Sequence, residues 1–219
     1  MNICEAIDLI NEDAFIVSDP HMYHKNILEF EKCRAEEMLI NGYSSHEEWI
    51  TDNWNEAVGE NDTVVCLGDF AFKKIEEASA GLNGNKIIIL GNHDRGKQAY
   101  ELQGWTVVDG LYSETNLGLM KLVGDDDHLL SGVSKNIMGK KTILCHYPLF
   151  SKDPYDTRNP KIRHRMELLE GLHKNDGCEL NLHGHTHSRL TGIDGAINCC
   201  LENTGFRPIR IKEAILKGE

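Results

Sequence analysis

Five short groups of Asp, Asn and His residues are spread along the chain, and each directly follows an apolar run. Asp, Asn and His side chains hold metal ions and move protons, and the glycines beside several of them let the backbone turn sharply. The groups are Asp19-Pro20-His21, Gly68-Asp69, Gly91-Asn92-His93-Asp94, His146 and Gly184-His185-Thr186-His187. Each group alone has an ordinary structural explanation, such as a turn or a hydrogen-bonded histidine. Buried together without a ligand, they would cost on the order of several kcal/mol, so we expect them to hold one.

Two divalent metal ions would satisfy this set of donors. Imidazole suits Zn, Fe, Mn and Ni, whereas carboxylate and carboxamide oxygens suit harder ions, so a mixed set favours a pair of first-row transition metals over Ca²⁺ or Mg²⁺. Two metals roughly 3.5–4 Å apart can clamp a phosphoryl oxygen, lower the pKa of a bridging water and orient in-line attack. The residues therefore predict hydrolysis of a phosphate ester.

The elements that must position these groups can be predicted from the apolar runs themselves. Short runs that end in Asp, Asn or His indicate strands over residues 14–19, 63–69, 86–92, 105–109, 142–146 and 179–185. Longer amphipathic stretches, including 24–40, 45–58 and 165–175, predict helices between them. In α/β sheets the ligand site forms beyond the carboxyl ends of the strands, so polar residues at those ends should converge.

In order, the blocks DPH, GDF, GNHD, CHYP and GHTH resemble the signature of the calcineurin-like metallophosphoesterases, which runs DxH, GD, GNH[DE], H, GHxH. The blocks extend from residue 19 to residue 187, and their sequences are similar to those of the small single-domain bacterial and phage members. The resemblance implies one domain over residues 1–219 and an α/β fold, a double β-sheet sandwich flanked by helices. It places a dinuclear metal site at one sheet edge.

The resemblance also implies a role for each matching position. Asp19, His21 and His187 would bind the first metal, Asp69 would bridge both metals, and Asn92, His146 and His185 would bind the second. His93 would bind the phosphate and protonate the leaving oxygen, with Asp94 holding its imidazole in one tautomer. We expect Mn²⁺ as the metal, with Fe, Zn or Ni as alternatives.

Substrate contacts are less sharply indicated. The stretch 151–165 carries five basic and two acidic residues, whereas the whole chain has a net charge of −12. Arg158, Arg163 and Arg165 could grip a phosphate, since a guanidinium fork matches its oxygens, or they could belong to a solvated loop with a basic entry to a helix. His24 fits a substrate contact and a helix cap equally well. Tyr147 and Tyr155 are candidates for stacking on a base, although packing explains Tyr147 equally well.

The chemistry leaves more than one function open. A phosphodiesterase acting on a small nucleotide-like ester is favoured over a phosphomonoesterase that acts on nucleotides or phosphoproteins. The acidic net charge disfavours nucleic-acid polymers as substrates. Some members of the resembled family, such as a retromer subunit, are non-catalytic scaffolds. A scaffold has no need of seven ligands and His93, all of which are present here.

The composition and the first residues limit the class of protein and its expected cellular location. The chain has 219 residues, of which 40% are hydrophobic, and its apolar runs are too short to predict a membrane span. The first residues lack the basic and apolar regions of a secretory signal. Seven cysteines, an odd number with several in predicted strands, favour reduced buried thiols and a cytoplasmic location. For Cys199 and Cys200, a packing role is favoured over a site for a soft metal. For residues 124–127, an acidic turn is favoured over a cation-binding loop.

Overall fold

Two mixed β-sheets pack against each other in the computed structural model, which describes residues 1–115, 118–123, 129–153 and 158–218. The predicted acidic turn at 124–127 and Tyr155 lie outside the described residues. The strands are β1 (Phe15–Val17), β2 (Thr63–Cys66), β3 (Asn85–Ile89), β4 (Thr106–Val108), β5 (Leu111–Thr115), β6 (Gly118–Val123), β7 (Gly132–Ile137), β8 (Lys140–Cys145), β9 (Leu180–His183), β10 (Ala196–Asn198) and β11 (Ile209–Arg210). The first sheet has the order β11-β1-β2-β3-β4 and the second has the order β10-β9-β8-β7-β5-β6.

Helices cover both outer faces of the sheets. They are α1 (Ile3–Asp8), α2 (Ile27–Phe30), α3 (Lys32–Ile40), α4 (His46–Ala57), α5 (Ile75–Ser79), α6 (Lys97–Glu101), α7 (Pro160–Asp176), α8 (Leu201–Thr204) and α9 (Ile211–Gly218). None of these helices is both long and apolar enough to cross a lipid bilayer.

Alternation along the strands divides the apolar residues between two layers. Ile16 and Val65 point between the sheets, where they share one buried cluster with Leu144 and Leu182 of the second sheet. Their chain neighbours Val17 and Val64 point the other way and belong to a second cluster that includes Trp49 and Trp54 of α4. Successive side chains of a strand face opposite sides, so these short apolar runs can pack on both. The predicted sandwich flanked by helices is confirmed.

The second sheet is covered on its outer face by α7. Met166, Leu169 and Leu172 of this helix form a third buried cluster with Ile143 and Cys145 of β8. Asn159 begins the helix, since its side chain accepts a hydrogen bond from the backbone N–H of Lys161 at 3.0 Å, and Gly177 ends it in a left-handed conformation. The helix thereby holds β8 and the residue that follows it, His146, in a fixed position.

The segment 24–40, which the sequence predicts as one helix, is divided at Glu31. This residue has φ −111° and ψ 82°, which is not helical, and it separates α2 from α3. The following helix agrees closely with its prediction, because α4 begins after Ser45, whose side chain accepts a hydrogen bond from the N–H of Glu48 at 3.3 Å. The division at Glu31 turns the end of α2 towards the cleft described below.

Strand ends from both sheets meet at one edge of the sandwich. Strands β1, β2 and β3 are parallel, as are β8, β9 and β10. Ser18, directly after β1, links the two sheets, because its N–H donates to the carbonyl of Cys199 at 2.8 Å and its carbonyl accepts from the N–H of Leu201 at 3.1 Å. The loops after these strands therefore form one surface, as the positions of the polar groups predict.

Candidate metal centre

The seven predicted ligands lie on the loops at this shared edge, and many of them have an unusual backbone. Positive φ angles occur at five of them: Asp19 (56°), His21 (50°), Asp69 (51°), His185 (68°) and His187 (51°). A non-glycine residue in this region costs about 1–3 kcal/mol and persists only where the surrounding structure imposes it. Strain of this kind is typical of ligand clamps, and here it turns successive side chains towards a common point.

Asp19 is fully buried. One of its carboxylate oxygens is hydrogen-bonded within the protein, and the other faces the candidate metal centre. Its Oδ2 accepts hydrogen bonds from the hydroxyl of Ser18 at 2.6 Å and the backbone N–H of His185 at 2.8 Å. Its Oδ1 has no hydrogen-bond partner, yet lies 3.4 Å from Nε2 of His21 and 3.7 Å from Nε2 of His187. These three atoms surround one point without bonding to each other, which fits a cation between them.

The two carboxylate oxygens of Asp69 also have different roles, and one of them faces both predicted ligand sets. Its Oδ1 accepts a hydrogen bond from the backbone N–H of His93 at 2.8 Å. Its Oδ2 lies 3.6 Å from Nε2 of His21 and 3.5 Å from Nε2 of His146. These two histidines belong to the two different predicted ligand sets, so a single oxygen of Asp69 faces both. This placement fits a carboxylate that bridges two metals.

The second ligand set is built around His146. Its Nδ1 lies 2.8 Å from the carbonyl oxygen of Leu67, and because a carbonyl only accepts, Nδ1 carries the proton. In the neutral ring, Nε2 therefore has a lone pair, and it lies 3.1 Å from Oδ1 of Asn92 and 3.3 Å from Nδ1 of His185. A carbonyl partner that fixes the tautomer is common for metal-bound histidines. A cation would relieve the contact between the lone pairs of His146 and Asn92.

Burial keeps His21 and His185 in the neutral form that binds metals. Both ring nitrogens of His21 are buried without a hydrogen-bond partner, and this burial lowers the pKa of its imidazole to about 3. Burial likewise lowers the pKa of His185 well below its usual range. For Asp69, burial and the nearby negative charge of Asp19 raise the pKa well above its usual range. Neutral imidazoles and carboxylates that lack a counter-charge fit a cationic ligand, because cations stabilise the ionised carboxylates.

Two glycines allow the loops to approach so closely. A Cβ atom on Gly91 would lie 2.3 Å from Oδ1 of Asp69. A Cβ on Gly184 would lie 1.9 Å from Oγ of Ser18 and 2.3 Å from Oδ2 of Asp19. Any larger residue would displace the two carboxylates. Glycine is therefore needed at these positions because the loops approach each other closely, and not because of the local backbone conformation.

His93 lies exposed at the mouth of the centre, with its ring centroid 5.8 Å from that of His21. Loss of hydration within the cleft and the charge of His146 lower the pKa of its imidazole. The predicted partner, Asp94, has other contacts. Its carboxylate accepts hydrogen bonds from the backbone N–H groups of Gly91 at 2.7 Å and Asp69 at 2.8 Å, and from the hydroxyl of Tyr100. It fixes the loops after β2 and β3, and its hydrogen bonds do not include the imidazole of His93.

Two residues at the centre were not predicted. Arg34 of α3 is fully buried, and its guanidinium donates to the carbonyls of Pro20 at 2.9 Å and Asp19 at 3.1 Å. It also forms an ion pair with Glu202, whose side chain is 2% exposed and whose Oε1 lies 3.3 Å from Nδ1 of His187. The sequence around Arg34 reads as an ordinary charged helix, and Glu202 lies in no motif, so neither gave a local signal.

Cys200 also contacts the centre from outside the predicted ligand set. Its thiol donates to Oδ2 of Asp19 at 3.3 Å, whereas the neighbouring Cys199 lies in the cluster between the sheets. All seven cysteines are free thiols, and burial raises the pKa of Cys199 to about 12. The thiol of Cys199 is therefore a packing group.

A cleft with a volume of about 560 Å³ opens over the centre. Its lining includes His21, His93, His185 and His187 of the centre, Ile27 and Phe30 of α2, and Glu31, whose carboxylate lies within 4.8 Å of a ring nitrogen of His187. His24 also lines it, and its Nδ1 accepts a hydrogen bond from the N–H of Asn26 at 3.3 Å. His24 thus faces the cleft and supports the turn before α2, whose N-cap residue Asn26 makes no side-chain capping hydrogen bond.

The three predicted arginines lie elsewhere. Arg158 is exposed, Arg163 is paired with Glu167 at 3.0 Å on the surface of α7, and Arg165 is buried with its guanidinium 3.5 Å from the hydroxyl of Tyr147. Tyr147 is 1% exposed, so its ring is not available for stacking on a base. Among the described residues that line the cleft, the arginine is Arg189, in the loop after β9.

Comparisons with known proteins agree with this geometry. A family model described as calcineurin-like phosphoesterase matches residues 14–189. The Gene 66 proteins of Mycobacterium phage L5 and Mycobacterium phage D29 are each 26% identical over 190 residues, covering 81% of this chain and 79% and 80% of their own. A crystal structure of the protein of unknown function AQ665 from Aquifex aeolicus matches with a TM-score of 0.62 and 26% identity, covering 91% of this chain and 96% of that one.

Proposed function

The chain belongs to the calcineurin-like phosphoesterase family, and we propose that it is a dinuclear phosphodiesterase acting on a small nucleotide-like substrate. The observation that carries the two-metal assignment is the position of Asp69, whose Oδ2 lies 3.6 Å from His21 and 3.5 Å from His146. One oxygen facing a histidine of each ligand set is what a bridging carboxylate requires.

The ligand residues divide into two sets that share Asp69. Asp19, His21 and His187 hold one ion, and Asn92, His146 and His185 hold the other. When bound, the pair of divalent ions supplies Lewis acidity and a hydroxide nucleophile at neutral pH. We propose Mn²⁺ in this role because the set mixes imidazole nitrogens with carboxylate and carboxamide oxygens.

His93 is placed to handle the leaving group. It is exposed to the cleft, its backbone is fixed by the hydrogen bond to Asp69, and it is not needed as a ligand by either set. The lowered pKa makes its protonated ring a stronger acid, and the negative charge of a bound phosphate favours protonation. We propose that His93 protonates the departing oxygen, while Asp94 keeps the two loops at their present separation.

The cleft has room for the organic group of a phosphate ester. It continues from the four histidines at the metal end to Ile27 and Phe30, which gives room for an organic group beyond the phosphate. Arg189 lines the same cleft, and its guanidinium forms an ion pair with Asp153. His24 would then contact the substrate, whereas Arg158, Arg163 and Arg165 do not line the cleft.

We propose that residues 1–219 form one domain and that the protein works in the cytoplasm. The cluster between the sheets includes residues from Ala6 to Ile215, so both ends of the chain contribute to one core. Seven free thiols are consistent with a reducing compartment.

The test compares hydrolysis of bis(p-nitrophenyl) phosphate and p-nitrophenyl phosphate in the presence of Mn²⁺ for the wild type, His93→Ala and His164→Ala. His164 is an exposed histidine of α7 outside the cleft, so its variant is the matched control. We expect faster diester cleavage, a loss of at least a hundredfold in His93→Ala, and little change in His164→Ala. A preference for the monoester would indicate a phosphomonoesterase. Inactivity on both esters, together with no bound metal, would indicate a scaffold.

A further inference from the structure

A strip of aromatic side chains extends from the metal centre along the cleft. The ring centroid of Phe72 lies 5.2 Å from that of His93 and 4.4 Å from that of His24. The ring of His24 lies in turn 5.8 Å from that of Phe30. His93, Phe72, His24 and Phe30 therefore form a continuous series of ring contacts from the proposed acid to the end of α2.

The two phenylalanines of this strip are open to solvent. Phe30 is 67% exposed and Phe72 is 38% exposed. Neither belongs to the three buried clusters, although Phe70, two residues before Phe72, is fully buried in one of them. His24 lies between the two phenylalanines, and exposed rings grouped in this way beside a polar centre form a patch of the kind that marks binding surfaces. Phe72 lies next to His93, which indicates that the bound group belongs to the substrate.

The backbone fixes the positions of both phenylalanines of the strip. Phe30 ends α2, and the non-helical Glu31 that follows stops the helix there and orients this end towards the cleft. Phe72 follows the Asp69 loop, and its N–H donates to the carbonyl of Met22 at 3.0 Å, which ties it to the loop that carries His21. The ring of Phe72 is thus held by the loops that carry metal ligands, and the ring of Phe30 by the end of α2.

We propose that Phe72, His24 and Phe30, whose neighbouring rings are inclined by 86° and 52°, form an aromatic surface on which the base of a nucleoside on the leaving side of the substrate stacks against one ring and contacts the others by their edges. This rests on the proposed function, because the group that takes the proton of His93 departs on the side where Phe72 lies. Aromatic side chains stack on the flat faces of bases with little dependence on sequence. A nucleoside fits this strip better than an aliphatic alcohol, which has no flat face to stack.

Negative charge favours a small substrate. Glu31 lines the cleft with a carboxylate oxygen within 4.8 Å of a ring nitrogen of His187, and the chain as a whole has a net charge of −12. A further phosphate beyond the base would meet this negative charge, whereas the amino groups of a base or the hydroxyls of a ribose can donate to the carboxylate. The substrate class is therefore a short nucleotide diester rather than a long polynucleotide.

The experiment compares two diesters that differ only in the base. The first is a dinucleoside monophosphate with adenine on the leaving nucleoside, and the second has an abasic sugar at that position. We expect the wild type with Mn²⁺ to cleave the first with a kcat/KM about tenfold higher or more, and Phe30→Ala and Phe72→Ala to reduce that ratio to below about threefold. Phe30→Tyr should retain the ratio, and so should Leu102→Ala, a control at a residue that is 74% exposed outside the cleft.

A binding measurement separates this inference from the proposed function. Equilibrium dialysis of adenosine 5′-monophosphate against the metal-loaded protein should give a Kd about tenfold weaker for Phe30→Ala than for the wild type. Equal ratios and equal Kd values in the wild type and the alanine variants would overturn the stacking surface, even if diester hydrolysis is observed. Loss of AMP affinity in Phe30→Ala without hydrolysis of any ester would support the surface and overturn the proposed activity.

Discussion

Oε1 of Glu202 lies 3.3 Å from Nδ1 of His187 and forms an ion pair with the buried guanidinium of Arg34. Burial lowers the pKa of His187, but the hydrogen bond to Glu202 and the charge of Asp19 outweigh it and raise the pKa overall. The carboxylate holds a proton on Nδ1 and so leaves Nε2, 3.7 Å from Oδ1 of Asp19, to face the proposed metal.

We expect Glu202→Gln to weaken metal binding by about ten- to a hundredfold, because carboxylate partners of ligating histidines have effects of this size. The measurement is calorimetric titration of metal-free protein with Mn²⁺, after circular dichroism has checked folding. Glu167→Gln, which alters an exposed ion pair on α7, is the control. Unchanged affinity in a folded Glu202→Gln protein would contradict the assignment.

Asp69→Asn should lower the metal content per chain, because the amide replaces the carboxylate that faces both ligand sets. Elemental analysis of protein purified in Mn²⁺ should give about two ions per wild-type chain and fewer in the variant. Asp8→Asn, at an exposed residue of α1, should match the wild type. If Asp69→Asn retained two ions with unchanged affinity, Asp69 would not be the bridge.

Gly184→Ala should disrupt the centre, since its Cβ would lie 1.9 Å from Oγ of Ser18. We expect a fall in thermal stability and loss of the stabilisation that Mn²⁺ gives the wild type. Gly171→Ala is the opposite case, because nothing lies within 4 Å of its Cβ inside α7, and it should stabilise the helix by about 1 kcal/mol. Thermal unfolding with and without Mn²⁺ measures both, and a Gly184→Ala protein with wild-type behaviour would refute the close approach.

Asp109 gives an expected dependence of stability on pH. Burial opposes ionisation of this carboxyl, but hydrogen bonds from Lys97, Tyr112 and Lys121 outweigh it and lower the pKa below the usual range. A carboxyl whose pKa is lower in the folded protein contributes stability above its unfolded pKa, near 3.9, and loses it as the pH falls through the folded value.

Asp109→Asn should therefore cost about 1 kcal/mol of unfolding free energy at pH 7, a modest value because the carboxylate is 25% exposed, and less at pH 3. Urea unfolding at the two pH values gives the comparison. Equal losses at both would show that the charge of Asp109 does not contribute.

Strand ends were the most predictable part of the centre. Short apolar runs that stop at Asp19, Asp69 and His146 locate the loops, and the parallel order of the strands brings them together. The contacts made by Arg34 and Glu202 could not be predicted, because these residues are separated by 168 positions and the burial of each depends on the other.

The break at Glu31 was missed because apolar spacing continues across it, whereas the residue itself is not helical. Arg189 was overlooked because basic density in the sequence drew attention to 151–165, whose residue Arg163 forms its ion pair within α7.

The link through Ser18 has a consequence for how the protein matures. Ligands meet there from β1, β2 and β3 of one sheet and from β8 and β9 of the other, and Asp19 and His187 are far apart in the chain. Contacts between such distant segments form late, since closing long loops is slow. A half-assembled chain has only part of the donor set, so metal uptake would follow the docking of the two sheets and would mark the chains that have finished folding.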